Sequence, residues 1–398
     1  MTMIETITID KLIDSVKDTV VEWRRYLHQN PERSFQEEKT SQFVYEKLES
    51  FGNLELSRPT KTSVVGRLVG NRPGRVLALR ADMDALPIQE ENDFEFVSQN
   101  PGIMHACGHD GHTAMLLGAA KVLSQLKDQL CGEVRFLFQH AEEVPPGGAM
   151  EMVKAGVLDG VDQVIGLHLA SPIPTGRIGV GYGPVSANCD VFTLSINGKG
   201  GHSSQPDTAI DPIVISAQVV SNLQSIISRN IATNEKAVVS VTQIHGGSAQ
   251  NIIPQSVQLN GTVRSFNPKV REEIPKLMER IVKGITEAHG ATYDIHYEFG
   301  YSSVVNEEIL TRQMEELIGE VLGKEFILPL EQGTMMGSED FSAFSDVVPG
   351  CFLMVAAGNE EKGIIYPHHH PKFSVDEASL EHGVKLLVHA PFKLNNKE

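Results

Sequence analysis

Within nine residues, Met104-His105-Ala106-Cys107-Gly108-His109-Asp110-Gly111-His112, the chain places one thiol, three imidazoles and a carboxylate. Cys107 and His109 are two apart, a spacing at which a loop can aim both side chains at one ion. A cluster this dense constrains the fold, because the remaining donors come from remote segments that must gather around it. The candidates are Glu142-Glu143, His168 at the end of an apolar run, and His368-His369-His370. Mixed Cys/His/Glu ligation suits zinc, manganese, cobalt or nickel, with identity left to geometry and supply. Any one of these histidines alone reads as a surface or satisfied core residue. Five candidate ligands, each beside apolar or glycine-rich sequence, read as a catalytic metal site.

A chain of 398 residues suggests more than one domain, since single cores stop growing near ~250–300 residues. Its net charge of −17 argues against nucleic acid and anionic membrane surfaces as partners. The cysteines Cys107, Cys131, Cys189 and Cys351 are scattered, with no CxxC pair and no disulfide framework, as in a reducing compartment. The N-terminal residues lack a basic start and an apolar core, and no apolar stretch approaches the ~20 residues that span a bilayer. The expectation is a soluble, cytoplasmic protein.

Ile13, Val16, Val20, Trp23 and Leu27 recur at helical spacing before Pro31, which predicts a helix over 9–29. Ser34 and Glu37 form a capping-box pattern, predicting a second helix through Leu48. Apolar runs at Val64–Val69, Val76–Leu79, Glu133–Phe138 and Val164–Leu167 predict strands. Thr113–Leu126 predicts a buried helix after the Cys/His loop. The alternation implies an α/β domain with a largely parallel sheet. Asp82, Glu142, Glu143 and His168 then fall just beyond strand carboxyl ends, the edge at which open α/β sheets bind ligands.

The pattern changes after Gly183. Strands at Asp190–Ile196, Ala237–Ile244, Val257–Val263 and Thr292–Tyr297, with helices at Asp211–Ile227 and Val270–His289, give the ferredoxin-like order β-α-β-β-α-β. This predicts an inserted domain over 185–298, flanked by a catalytic domain over 1–184 and 299–398. Phe352–Val355 would return a strand to the main sheet, and Val375–Val388 would form the last helix.

Adjacent glutamates usually belong to solvated surfaces, but Glu142-Glu143 follow an apolar strand. One can ligate metal while the other takes a proton from water and passes it to a leaving amine. The glycine-rich run Gly198–Ser204 matches neither a P-loop nor GxGxxG, and its plain reading is a tight loop; His202 within it can reach a neighbouring site. Arg264, after an apolar strand, reads as a surface ion pair or a carboxylate clamp. Ser338 lies outside any GxSxG elbow, and the imidazoles around Cys107 favour a ligand over a nucleophile.

Several segments together resemble the amidohydrolase branch of the aminoacylase/carboxypeptidase superfamily of co-catalytic metallopeptidases. They are Arg25–His28 with Pro31-Glu32, Arg80–Pro87, Met104–His112, Phe138–Glu143, Gly166–His168, Gly198–Pro206, Asn251–Pro254, Gly337–Phe341 and His369–Pro371, covering essentially the whole chain in order. The branch includes hippurate hydrolases, N-acyl-amino-acid amidohydrolases and indole-acetyl-amino-acid hydrolases. The resemblance implies two divalent ions bridged by Cys107, one completed by His109 and His168, the other by Glu143 and His369. It implies Glu142 as general base and acid, and a smaller lid and dimerisation domain. From that domain His202 would reach a dimer partner's site, and Asn251 and Arg264 would hold substrate. Two features depart from the pattern: His140 stands where the family has proline, and the triple histidine leaves His370 as the alternative to His369. The implied activity is hydrolysis of N-acyl amino acids or similar small amides by a homodimer or higher oligomer. A metallo-aminopeptidase or dipeptidase, and a catalytically silent binding protein, are the competing readings.

Overall fold

The computed structural model describes residues 3–331 and 336–396. The chain divides into two compact units. The first runs to Gly183 and resumes with the segments from Val305 and from Asp340; the second is Pro184–Val304, joined by a later stretch ending at Glu339.

The first unit holds β1 (Glu55–Ser57), β2 (Val64–Val69), β3 (Arg72–Asp82), β4 (Cys131–Gln139), β5 (Gln163–Pro174), β6 (Ile178–Val180), β7 (Ile327–Pro329) and β8 (Gly350–Gly358). They form one sheet in the order β1-β2-β4-β3-β5-β8-β6-β7. The central strands β4, β3, β5 and β8 are parallel neighbours. The pair β6–β7 is also parallel, and antiparallel pairs β1–β2, β2–β4 and β8–β6 add a mixed character to this parallel centre. Central strands are covered on both faces and read as apolar runs. β1, β6 and β7 have three residues each, too few to show any periodicity. β5 also runs past His168, which pairs with Met354 of β8. That histidine therefore lies within its strand, not beyond the end.

The helices of this unit include α1 (Met3–Gln29), α2 (Glu38–Phe51), α3 (His109–Gln125), α4 (Gly148–Lys154), α5 (Glu308–Val321) and α6 (Ala378–Leu394). Every residue of α3 from His109 to Ala120 is buried, which its Ala, Leu and Met content permits. α1 and α6 close on it at Gly118, where a Cβ would fall 2.6 Å from Val20 Cγ2. The helix starts at His109 rather than Thr113 because Gly108 takes a left-handed φ of 96° and turns the chain into it. His109 and His112 thus sit on a helical turn.

The capping box at Ser34 and Glu37 does not form. Ser34 Oγ donates to Asp84 Oδ2 at 2.7 Å, and Glu37 Oε1 accepts the amide of Ala141 at 2.8 Å. Both side chains are drawn inward by buried groups, and α2 begins without a side-chain cap.

The second unit is a four-stranded antiparallel sheet in the order Ala237–Gly246, Ser256–Ser265, Asp190–Asn197, Thr292–Glu298. Helices Pro212–Leu223 and Pro268–Ala288 pack on it, capped by Asp211 and Asn267 through the amides of Ile213 and Lys269. Strand Ser256–Ser265 alternates outward and inward residues, and Leu194, Val219, Leu259, Ile274 and Met278 fill the core. Sheet order and connection order are those of the ferredoxin-like arrangement. No described helix is long and apolar enough to cross a membrane.

Candidate metal centre

The carboxyl ends of the parallel strands gather the donors of the first unit. Cys107 sits in the turn before α3 and His109 on its first residue; Glu142 and Glu143 follow β4, His168 lies in β5, and His369 follows β8. Donor atoms of Cys107, His109 and His168 lie within 4.8 Å of one another, as do those of Cys107, Glu143 and His369, and those of His109, Glu142 and Glu143. Cys107 is common to the first two groups. Its Sγ is 3.6 Å from His168 Nε2, and Glu143 Oε1 is 3.2 Å from His369 Nε2.

His168 and His109 are each aimed by their other ring nitrogen. His168 Nδ1 donates to the Leu169 carbonyl at 2.8 Å, which turns Nε2 to Cys107. His109 Nδ1 donates to Asp84, 2.9 Å from its carbonyl and 3.1 Å from Oδ1. Such outer partners fix the tautomer that a metal needs. His109 Nε2 and Glu143 Oε1 are buried and make no well-directed hydrogen bond. Paired with a soft thiol, these two inward-facing donors fit a divalent cation.

The charge distribution agrees. Burial pushes the Cys107 thiol well above its ordinary value, and Glu143, Glu142 and Asp82 push it further. Burial opposes charge on His109, but Asp82, Asp84 and Glu143 outweigh it and carry the imidazolium up to about 10. A pocket this negative is balanced when cations enter it. His168 behaves oppositely: burial, then His112 and His368, hold it well below the usual imidazole range. It is a neutral lone-pair donor.

The sequence places Asp82 at the ligand-binding edge and His112 in the Cys/His run, but gives neither them nor Asp84 a role there. Asp84 holds both His109 and, through Oδ2, the amide of Glu143 at 3.0 Å. Asp82 Oδ1 accepts from His112 Nδ1 at 2.6 Å, while His112 Nε2 accepts the Leu169 amide at 2.8 Å. Arg80 Nη1 braces Asp82 at 2.7 Å. The signal available for the two aspartates was the charged Arg80–Asp84 run at the end of a buried strand, and for His112 its place in the Cys/His run. In the triple histidine, His368 Nε2 donates to the Leu169 carbonyl at 2.8 Å, and His370 stacks on Tyr366. His140 bonds Glu151 at 3.0 Å and joins none of the candidate donor groups.

His202, Asn251 and Arg264 belong to the second unit. A two-residue ladder pairs Gly201–His202 with Ile252–Ile253, and the Ser203 amide bonds the Asn251 carbonyl, so His202 and Asn251 are neighbours. His202 Nδ1 accepts the Ser204 amide at 3.1 Å, which leaves the proton of a neutral ring on Nε2. Arg264 stands on strand Ser256–Ser265, beside Val238.

Residues 78–393 match the model of Peptidase family M20/M25/M40. The chain is 63% identical over 298 residues to an N-acyl-L-amino acid amidohydrolase of Geobacillus stearothermophilus, covering 75% of this chain and 80% of that one. It is 41% identical over 395 residues to thermostable carboxypeptidase 2 of Saccharolobus solfataricus, covering 98% and 99%. The crystal structure of the Bacillus subtilis YXEP protein, a dinuclear metal binding peptidase from the M20 family, superposes with a TM-score of 0.84 at 35% identity, covering 96% of this chain and 100% of that one. With donors of this kind converging at one sheet edge, these likenesses establish that the chain belongs to Peptidase family M20/M25/M40 and is a metal-dependent hydrolase.

Proposed function

We propose that the protein hydrolyses the amide bond of N-acyl amino acids with two divalent ions held on either side of Cys107. His109 and His168 would complete one shell, Glu143 and His369 the other; zinc, manganese, cobalt and nickel all suit this donor set. The observation that carries the reading is the sharing of Cys107 by two donor groups with Glu142 beside them. Divalent ions held there would supply Lewis acidity toward a scissile carbonyl and toward water.

The protein's own residues do the rest. Glu142, 6% exposed at the edge of the donor cluster, takes the proton of the attacking water and returns it to the leaving amine nitrogen. Asp84 keeps His109 in one tautomer and fixes the Glu143 backbone. His202 would donate from Nε2 to the oxyanion, entering from the second subunit of a homodimer, and Asn251 and Arg264 would hold the substrate carboxylate. Donors preset toward such an oxygen are worth about 3–4 kcal/mol in barrier height.

The likeness to a carboxypeptidase favours a second substrate, the C-terminal residue of a peptide. Both substrates are amides of an amino acid whose carboxylate is free, so one anchoring arginine serves either. The test is hydrolysis by the metal-loaded protein of N-acetyl- and N-benzoyl-amino acids beside peptides with blocked N-termini and free dipeptides. Turnover confined to dipeptides with a free α-amine would reject the reading, as would full metal occupancy with no turnover.

A further inference from the structure

The two glutamates of the site follow a backbone turn that an alanine does not adopt freely. Ala141 has a φ of 49°, one of four non-glycine positive-φ residues among those described. Left-handed backbone brings Cβ against the following carbonyl, so an unsupported alanine relaxes out of it. Here both sides of the residue are held. Its amide donates to Glu37 Oε1 at 2.8 Å, and its carbonyl accepts the Gly148 amide at 2.9 Å. Glu37 is fully buried and anchored in turn: Oε1 also accepts the Phe35 amide at 2.9 Å, and Oε2 accepts from Thr62 Oγ1 at 2.9 Å. Two residues on, Asp84 takes the amide of Glu143. The Glu142–Glu143 pair is thus bracketed by two carboxylates from distant parts of the chain.

We propose that Glu37 is a positioning residue for hydrolysis: it locks the left-handed turn at Ala141 and so aims Glu142 and Glu143 at different tasks. The proposal rests on the general-base and ligand roles proposed for those two glutamates. Glu37 acts through Ala141, because the amide it holds belongs to the residue preceding Glu142. Only acceptor capacity at Oε1 is required, which a glutamine retains while its NH2 faces Thr62, a hydroxyl able to accept. Burial, followed by the charge of Asp84, raises Glu37 to about 7, so a neutral side chain here is no foreign state.

The experiment compares Glu37→Ala and Glu37→Gln with wild type in metal content, melting temperature, kcat, KM and crystal structure. Misplacing a reacting group by about 1 Å can cost on the order of 10²-fold, so kcat of Glu37→Ala should fall roughly 10- to 100-fold. Two ions should stay bound, KM should change little, and Glu37→Gln should recover most of kcat. In the Glu37→Ala crystal structure Ala141 should relax to negative φ with the Glu142 carboxylate displaced. An unchanged Ala141 and Glu142 would overturn the proposal. So would failure of Glu37→Ala to fold, a rate loss that follows metal loss, or a glutamine variant as impaired as the alanine one. If wild type cleaves no acyl amino acid, the functional reading fails alone, and the crystal structure still decides on Glu37.

Discussion

The His369 amide donates to the carbonyl of Ala106 at 2.8 Å, which pins the C-terminal histidine run onto the loop that carries Cys107. His369 has a φ of 64°, and this backbone bond holds it there with its ring toward Glu143. His370 turns away, its Nδ1 accepting the Lys372 amide at 3.0 Å. His369→Ala should therefore lose one bound ion and nearly all activity, whereas His370→Ala keeps both. Elemental analysis of the two variants checks this, and the reverse pattern would assign the ligand to His370.

Cys107 belongs to the group with His109 and His168 and to the group with Glu143 and His369, so its replacement should act on both ions. A thiolate bridges two cations well, and a serine hydroxyl stays protonated at neutral pH. Cys107→Ser should lose metal and activity together. Two ions per chain with normal turnover in this variant would exclude the bridge.

Glu142 and Glu143 are neighbours with different surroundings. Glu143 Oε1 faces His369 and His109, at 3.2 and 3.9 Å, whereas Glu142 Oε1 accepts the Asp340 amide at 3.4 Å. Glu142→Gln should keep both ions and lose about 10²–10⁴ in kcat, the usual worth of general acid–base help. Glu143→Gln should weaken metal binding first. Metal titration beside steady-state kinetics separates the two, and an exchanged outcome would exchange the roles.

The candidate donors were legible because they are chemically unusual: a thiol, imidazoles and carboxylates next to apolar runs stand out in one dimension. Their supports were not. Asp84 reads as the end of a strand, and nothing local says that it holds His109 and Glu143 at once. Ser34 and Glu37 were misread for a related reason. A serine three residues before a glutamate matches a helix cap, but the buried amides of Phe35 and Ala141 and the carboxylate of Asp84 compete for the same atoms and win. The central parallel strands announced themselves by continuous burial, while three-residue edge strands carry too little pattern for any periodicity to register.

His389, buried on α6 beside Asp10, should give a pH-dependent contribution to stability. Burial lowers its pKa below the ordinary 6.5, with Lys385 in support and Asp10 opposing. A depressed folded-state pKa means that the unfolded chain binds the proton first as pH falls. Stability is thus unaffected above 6.5 and declines as pH drops below it. His389→Phe, beside a cavity of about 270 Å³ lined by Leu317, Val321 and Phe392, should flatten the melting temperature between pH 6.5 and 5. Parallel wild-type and variant curves would remove His389 as the cause.

The sharpest test of a shared active site uses His202. This residue is exposed, far in sequence from Cys107, and held beside Asn251 in the second unit. If it completes a site in the opposite subunit, Glu142→Gln and His202→Ala chains are each inactive as homodimers. In the mixed dimer one site combines a wild-type Glu142 with a wild-type His202, and the other has neither. Co-assembly of the two inactive chains should then restore activity, up to half of the wild-type value per dimer. Differently tagged chains, purified on both tags, supply the mixed dimer for assay. No recovery in a verified mixed dimer would place His202 in its own chain's site, and a stable, fully active monomer would exclude sharing altogether.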